Sequence, residues 1–460
     1  MSHKKECVEE NDNNLILNNA NIFKVLRERK GHKLSNWNRH IDLIIVPVTI
    51  NICINSIKYK IDFIKYSKYI IDILNDGFSG KLYSPYKNIH KDTNFKYNQE
   101  YIKKILEKQK DINSNKNSQI IYNYINAKID TKIRFYLHSI VYHDIFIEEK
   151  FVNNDTEKFL DTVRKLGFRI LSSHRKNLNI NIIKFNCSTL GISIFPWMKY
   201  VSNNISSCMQ VFLDFCTIHP DIANNNFNNC RTVIHEVGHI FGLRHSFSCN
   251  IETVKVYSIL LGKLTTHKEM LDKINLTNSE DIKKTQHSKE NSSDKEIVKE
   301  PIDYNDLLFL KDKLLNNKDE IQLYSDIPMQ TNSTNYDPFE LNKFPFCNNI
   351  PSNFACFMDY SPDMVLTHFT ESQKKIMHYM IRLFKPYLIK KSKSELNNMN
   401  NNKVKLYINK KNNIKNTMLN TLLEDSTTQK YYVLYDNKHV FRYSITDIDE
   451  KLRTFIYKEK

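Results

Sequence analysis

The sequence predicts an α+β fold in which a β-sheet packs against a small number of helices. Two observations carry this prediction. Five short segments are β-branched or alternate between apolar and polar residues, as half-buried strands do. These segments span 41–54, 131–140, 178–185, 190–197 and 208–216. Between and after them, apolar residues recur at helical spacing, which predicts helices that cover the sheet.

Helices are predicted where apolar residues recur every three to four positions and a stop signal follows. The stretch "IKYSKYIIDILNDGFSG" is expected to form a helix that ends at Gly77, and "EYIKKILEKQK" a shorter one. A C-terminal helix is expected to start after Thr370, where Gln373 completes a capping box, and to stop at Pro386. A further helix at about 230–242 carries the motif described below.

Composition divides the chain into a folded domain and three polar segments. Residues 1–40 are polar and are expected to form a leader or a prosegment. The domain is expected over 41–388, with a low-complexity insertion at about 251–320 that is rich in Lys, Asn and Ser. Residues 389–460 are an Asn- and Lys-rich tail, whose end has the pattern of a hairpin about Asp436-Asn437.

The charge of the chain does not point to a polyanionic partner. The formal net charge is +16, but the lysines are spread through Asn- and Ile-rich sequence and form no basic helix. We therefore expect no nucleic-acid partner.

The N-terminus lacks the apolar run of a signal peptide, and the longest apolar run, 41–54, is too short to span a bilayer. The nine cysteines include no CxxC pair, and the compartment stays undetermined.

The stretch "TVIHEVGHIFGLRHSF" concentrates residues that can bind a metal. His235 and His239 are four residues apart, so a helix places both on one face, within reach of one ion. Glu236 lies one position round the helix, where it can face a water at that ion. His245 supplies a third ligand if the chain turns sharply, and Gly242 stands where that turn needs a positive φ. Three histidines with an open fourth position are typical of a catalytic zinc site.

An ordinary amphipathic helix explains this stretch poorly. The pattern HExxHxxGxxH fixes five positions with residues that are scarce in the chain, which has eight glycines and sixteen histidines. Its chance occurrence over all start points is on the order of one in 10⁵. The apolar residues between the ligands indicate a deeply buried helix.

The same residues resemble a known family. "HEVGHIFGLRH" is similar to the long zinc motif of the metzincin metallopeptidases, and "FACFMDYSPD" offers a methionine for their Met-turn. "MDYS" followed by "FTESQKKIM" resembles the pappalysin branch, the pregnancy-associated plasma protein A and cytophagalysin type. "LNINIIKF", "LGISIFPW", "HSFSC" and "YSDIPMQ" resemble segments of that branch in the same order. The likeness covers roughly 41–250 and 321–388.

The resemblance implies a metzincin zincin-like fold: a twisted, mixed β-sheet with an edge strand over the cleft, an active-site helix, a Met-turn and a C-terminal helix. It implies one catalytic Zn²⁺ with the ligands His235, His239 and His245, and Glu236 as the general base. Tyr360 matches a tyrosine that in several metzincins lies near the metal and stabilises the tetrahedral intermediate.

The resemblance also bears on structural residues around the site. Met358 would form a hydrophobic floor beneath the ligand histidines. Cys249 and Cys347 can still make one of the family's disulfides, whereas Cys356 and Met364 depart from its pattern, so another disulfide is expected to be missing. Ca²⁺ sites, which some relatives carry, would involve the loops around the insertion. The relatives are mostly secreted.

These inferences predict a zinc-dependent metalloendopeptidase with a protein or peptide substrate. An extended peptide is expected to lie antiparallel to the edge strand at "LGISIFPW". Three alternatives stay open at this point. They are an inactive metzincin scaffold used for protein binding, another metzincin branch with the same zinc site, and a polybasic protein that binds nucleic acid.

Overall fold

The computed structural model describes the chain in thirteen stretches. They are 43–53, 63–82, 99–143, 176–184, 189–196, 209–214, 229–247, 326–327, 330, 332–347, 349–400, 404–409 and 431–435. The predicted leader at 1–40 and the predicted insertion at 251–320 lie outside these residues.

In chain order, the first strand is followed by three helices and then by four strands before the helix that carries the motif. The strands are β1 (Ile44–Ile52), β2 (Ile133–His143), β3 (Leu178–Ile183), β4 (Gly191–Ser193), β5 (Met209–Asp214), β6 (Phe346–Cys347), β7 (Ile350–Pro351), β8 (Val404–Asn409) and β9 (Tyr431–Tyr435). The helices are α1 (Phe63–Phe78), α2 (Gln99–Lys108), α3 (Ser114–Asn126), α4 (Arg231–Ile240), α5 (Glu371–Phe384) and α6 (Pro386–Asn400). Each of the five segments predicted as strands overlaps an observed strand.

Seven strands form one mixed sheet in the order β4-β5-β3-β1-β2-β8-β9. Neighbouring strands run parallel, except that β4 runs antiparallel to β5 at one edge. The structure is therefore a mixed α/β fold with a mostly parallel sheet. β6 and β7 form a separate antiparallel pair. The edge position of β4 leaves one of its sides without a neighbouring strand among the described residues.

One face of the sheet forms the main apolar core. Alternate β1 residues, which include Val48 and Ile50, are fully buried there because successive side chains of a strand point to opposite faces. Helices α1, α4 and α5 supply the other side of this core, with Phe78 packed edge-on against Phe135 at 4.9 Å between ring centroids. This layer holds α4 against β4 and β5.

The opposite face of the three central strands is polar and buried. Thr49 and Ser139 share a hydrogen bond of 2.9 Å between their hydroxyl oxygens, and the amide of Asn51 donates to Oδ1 of Asn181 at 2.9 Å. Helix α6 packs on the first half of β1, where the Ser392 hydroxyl accepts a hydrogen bond from the Ile45 N–H at 3.2 Å. Buried polar groups on this face thus have partners across the strands.

Two expectations need correction. Gly77 does not end α1: it lies inside the last turn, where a Cβ would meet the Ile234 side chain at 2.6 Å, and Gly80 takes the positive φ of 68°. The boundary expected at 388 falls inside α6, and the Asn- and Lys-rich sequence beyond it supplies β8 and β9 to the sheet.

The predicted capping box at Thr370 and Gln373 is confirmed, with both hydrogen bonds present. The hairpin about Asp436-Asn437 cannot be compared, because only its first arm, β9, lies among the described residues. Within those residues, no helix combines the length and apolar character needed to cross a membrane.

Candidate metal centre

Helix α4 carries the HExxH part of the motif and is buried along its whole length. The helix ends at Ile240, and Gly242 follows with a φ of 88°. This backbone conformation is unfavourable for any residue that has a Cβ atom, whereas glycine adopts it readily. The N–H groups of Gly242 and Leu243 donate to the carbonyls of His239 and Gly238 at 2.9 and 3.0 Å, closing the last turn. The chain thereby reverses and returns His245 to the helix.

The three motif histidines converge on one point. Their Nε2 atoms lie 3.1 Å (His235 to His239), 3.2 Å (His239 to His245) and 3.1 Å (His245 to His235) apart. A tetrahedral ion with bonds of about 2.0–2.1 Å sets two ligand nitrogens about 3.3 Å apart, so this spacing fits zinc. Among the described residues, this is the one group of three or more His, Cys, Asp or Glu side chains able to hold a metal.

The other ring nitrogens determine how these imidazoles bind. Nδ1 of His235 lies 2.7 Å from the Phe357 carbonyl, and Nδ1 of His239 lies 2.7 Å from the Leu243 carbonyl. A carbonyl only accepts, so each Nδ1 must carry the proton and each Nε2 presents a lone pair. Lone pairs that face one another at about 3 Å repel unless a cation lies between them. The donor set is therefore suited to a metal ion.

The segment around Met358 lies directly against α4. The Met358 carbonyl accepts a hydrogen bond from the N–H of Ser246 at 3.1 Å, next to His245. A Cβ built on Gly238 would lie 2.6 Å from the Met358 sulfur. The sulfur therefore occupies the space that a side chain at position 238 would need.

Tyr360 stands beside two of the histidines. Its ring centroid lies 4.8 Å from that of His245 and 5.7 Å from that of His235. Phe247 completes an aromatic group, since it stacks on His245 at 4.7 Å with an interplanar angle of 11° and meets Tyr360 edge-on at 4.7 Å. Rings on this side restrict the orientation of His245. Sequence reasoning did not single out Phe247.

The N-terminus of α4 is capped by a residue from another part of the chain. Its N-cap, Cys230, makes no side-chain cap and has a φ of 57°. Asp363 acts instead: one carboxylate oxygen accepts from the N–H groups of Asn229 and Arg231 at 2.9 and 3.1 Å. A carboxylate here also complements the positive end of the helix dipole. The segment that contains Met358 and Asp363 thus holds both ends of the motif helix.

Glu236 lies under the edge strand. Its Oε2 accepts a hydrogen bond from the Ser193 hydroxyl at 2.7 Å. Further along this segment, Phe195 lies edge-on to His239 at 5.1 Å between ring centroids, and the Arg244 guanidinium lies 5.2 Å from the Phe195 ring. The four motif residues His235, Glu236, His239 and His245 are each at most 3% exposed, so their charges act in a medium poor in water.

Asp359 links the Met358 turn to the preceding loop. Its Oδ1 accepts from the N–H groups of Thr334 and Tyr360 at 3.1 and 2.8 Å. Burial raises the pKa of this carboxyl to about 6, against the lowering effect of those hydrogen bonds. Asp359 therefore ties the loop 332–337 to the site through backbone groups.

Two expectations about the surroundings stay predictions. Cys347 is half-buried, and Cys249 lies outside the described residues, so their disulfide stays a prediction. The loops expected to hold Ca²⁺ adjoin the predicted insertion at 251–320, and that insertion lies outside the described residues. Cys356 is buried, and burial raises the pKa of its thiol to about 12, so the thiol is neutral.

Comparisons with known proteins give a likeness in structure only. No protein-family model matches the chain, and no curated protein matches it. It is similar to a promirolysin variant from Tannerella forsythia, with 14% identity, a TM-score of 0.48 and coverage of 86% of this chain and 99% of that one. Mature mirolysin of the same organism, in complex with a cleaved peptide, is similar with 15% identity, a TM-score of 0.40 and coverage of 76% and 98%.

Proposed function

We propose that this protein is a zinc-dependent endopeptidase of the metzincin type, similar to the pappalysin branch. The observation that carries the proposal is the convergence of three Nε2 atoms within 3.2 Å, with two Nδ1 protons bound to carbonyls. His235, His239 and His245 would hold the ion. Glu236, which lies on helix α4 with the first two histidines, would act as the general base. Such a donor set with an open position is typical of a catalytic zinc.

The chain's residues supply the proton transfers of peptide hydrolysis. His235, His239 and His245 would hold a zinc ion, which would supply Lewis-acid chemistry: it would lower the pKa of water to about 7 and polarise a carbonyl oxygen. Glu236 accepts a proton from the attacking water and delivers it to the leaving amine. Tyr360, whose ring centroid lies 4.8 Å from that of His245, would donate a hydrogen bond to the developing oxyanion.

The edge strand supports an extended peptide as substrate. β4 pairs antiparallel with β5 on one side and stands at the end of the sheet. A peptide that runs antiparallel to β4 would add a strand through main-chain hydrogen bonds. Because α4 packs directly against β4, the scissile bond of such a peptide would lie near Glu236 and the histidines.

The test is metal analysis combined with peptide cleavage by the full chain. We expect one zinc per chain and hydrolysis of a quenched fluorescent peptide library, which phenanthroline abolishes and added zinc restores. Glu236→Ala should retain the zinc and lose at least about 100-fold in turnover, because general-base catalysis contributes about 10²–10⁴-fold. Glu340→Ala, which removes an exposed glutamate, is the matched control and should cleave normally.

Two results would contradict the proposal. A protein that binds zinc without cleaving any peptide would instead be an inactive scaffold used for protein binding. A Glu236→Ala variant with zinc and near-normal turnover would remove that residue from its role as base.

A further inference from the structure

The edge strand contacts the glutamate of the motif through two alternate positions. Gly191 and Ser193 are two residues apart on β4, so both face the same side of the sheet. The Ser193 hydroxyl donates to Glu236 Oε2 at 2.7 Å. A Cβ on Gly191 would lie 2.8 Å from Cγ and Oε1 of Glu236, and 2.9 Å from Cγ2 of Thr232. The strand therefore leaves space for the Glu236 side chain at Gly191 and binds its carboxylate at Ser193.

A buried glutamate needs such support. Its side chain has several rotatable bonds, and a carboxylate that serves as a base must keep one orientation towards the reacting water. A hydroxyl that donates to an ionised carboxylate makes a stronger hydrogen bond than one between neutral groups.

We propose that Ser193 is a positioning residue for Glu236, with Gly191 providing the space that this arrangement requires. The inference rests on the proposed peptidase function and goes beyond the zinc motif, because neither residue belongs to that motif. Its consequence is that one three-residue strand orients the general base from its inner face and offers its open edge to the substrate. Substrate register and base orientation are then set by the same backbone.

The test compares kcat, KM and zinc content in the full-length protein. Ser193→Ala should lower kcat about 10- to 100-fold, the range expected for loss of a hydrogen bond to a charged group. KM should stay within about twofold, and one zinc per chain should remain bound. Ser193→Thr keeps a hydroxyl and should restore kcat to within about threefold of the parent. Ser79→Ala is the matched control, because it removes a hydroxyl that makes only an exposed hydrogen bond to the Asp76 carbonyl.

Gly191→Ala provides a second variant with the opposite defect. Its Cβ would displace Glu236 instead of releasing it, so kcat should fall by a similar factor with zinc retained. If Ser193→Ala keeps kcat within twofold, changes KM alone or loses its zinc, the positioning role is overturned. If the parent cleaves no peptide with zinc bound, the proposed function fails and this inference fails with it.

Discussion

Gly238 and Met358 are in mutual contact, although they lie 120 positions apart in sequence; a Cβ on Gly238 would approach the Met358 sulfur to 2.6 Å. Glycine in the middle of a helix costs about 1 kcal/mol relative to alanine. The structure gives a reason for that cost, because the sulfur fills the place of the missing side chain beneath the helix that carries His235 and His239.

Gly238→Ala should therefore weaken metal binding despite the better helix propensity of alanine. The added methyl group pushes the Met358 turn away from α4, and with it the Phe357 carbonyl that orients His235. We expect zinc affinity to fall about 10- to 100-fold, as for loss of a group that hydrogen-bonds a ligand histidine, measured by competition with a chromophoric chelator. In a Met358→Ala background the same change should have little further effect. Unchanged affinity in the single variant would contradict this account.

Gly242→Ala should reduce both stability and zinc affinity. At a φ of 88° a side chain strains the backbone, at a cost of about 1–2 kcal/mol in the free energy of unfolding. The turn also brings His245 to the other two histidines, so its distortion should lower the zinc content. Urea unfolding of the metal-free variant separates the first effect from the second. Gly242→Asn, which tolerates this conformation better, should lose less, and equal losses for the two variants would count against the argument.

Asp363→Ala should destabilise the protein through the start of α4. The change leaves the N–H groups of Asn229 and Arg231 without their carboxylate acceptor and removes the charge that faces Arg231, which is buried. We expect a loss of about 3 kcal/mol in the free energy of unfolding, from urea denaturation. Asp363→Asn keeps an oxygen acceptor and should lose less. A loss below about 1 kcal/mol for the alanine variant would show that the cap is dispensable.

His378 should make stability depend on pH. Burial lowers its pKa from 6.5 to about 4, with Nε2 placed 2.6 Å from the Thr131 carbonyl. The unfolded chain binds the proton first, so this contribution is complete above pH 6.5 and is lost as pH falls towards 4. Between pH 7 and 5 the parent should lose about 2 kcal/mol through this group. His378→Gln keeps a donor but does not titrate. Between pH 7 and 5 the metal-free variant should therefore lose about 2 kcal/mol less in its free energy of unfolding than the metal-free parent. An identical loss in the two proteins would refute the assignment.

Several parts of the fold could be predicted because their causes are local. Alternation along five segments identified strands, and the capping box at Thr370 identified the start of α5. Other parts could not. Helix α6 and strands β8 and β9 have Asn- and Lys-rich sequence, and their places depend on contacts with β1 and β2. Gly77 was misjudged as a helix stop because its actual neighbour, Ile234, is far along the chain.

The sequence by itself determined the metal-binding pattern, because the spacing of His235, Glu236 and His239 on one helix and the turn at Gly242 are consequences of local backbone geometry. Only the tertiary structure decided what orients these groups. The Phe357 carbonyl reaches His235 across 122 positions, and Ser193 reaches Glu236 across 43. Such contacts leave no periodic signal in the chain, because they form only when the sheet and the helices pack into one core.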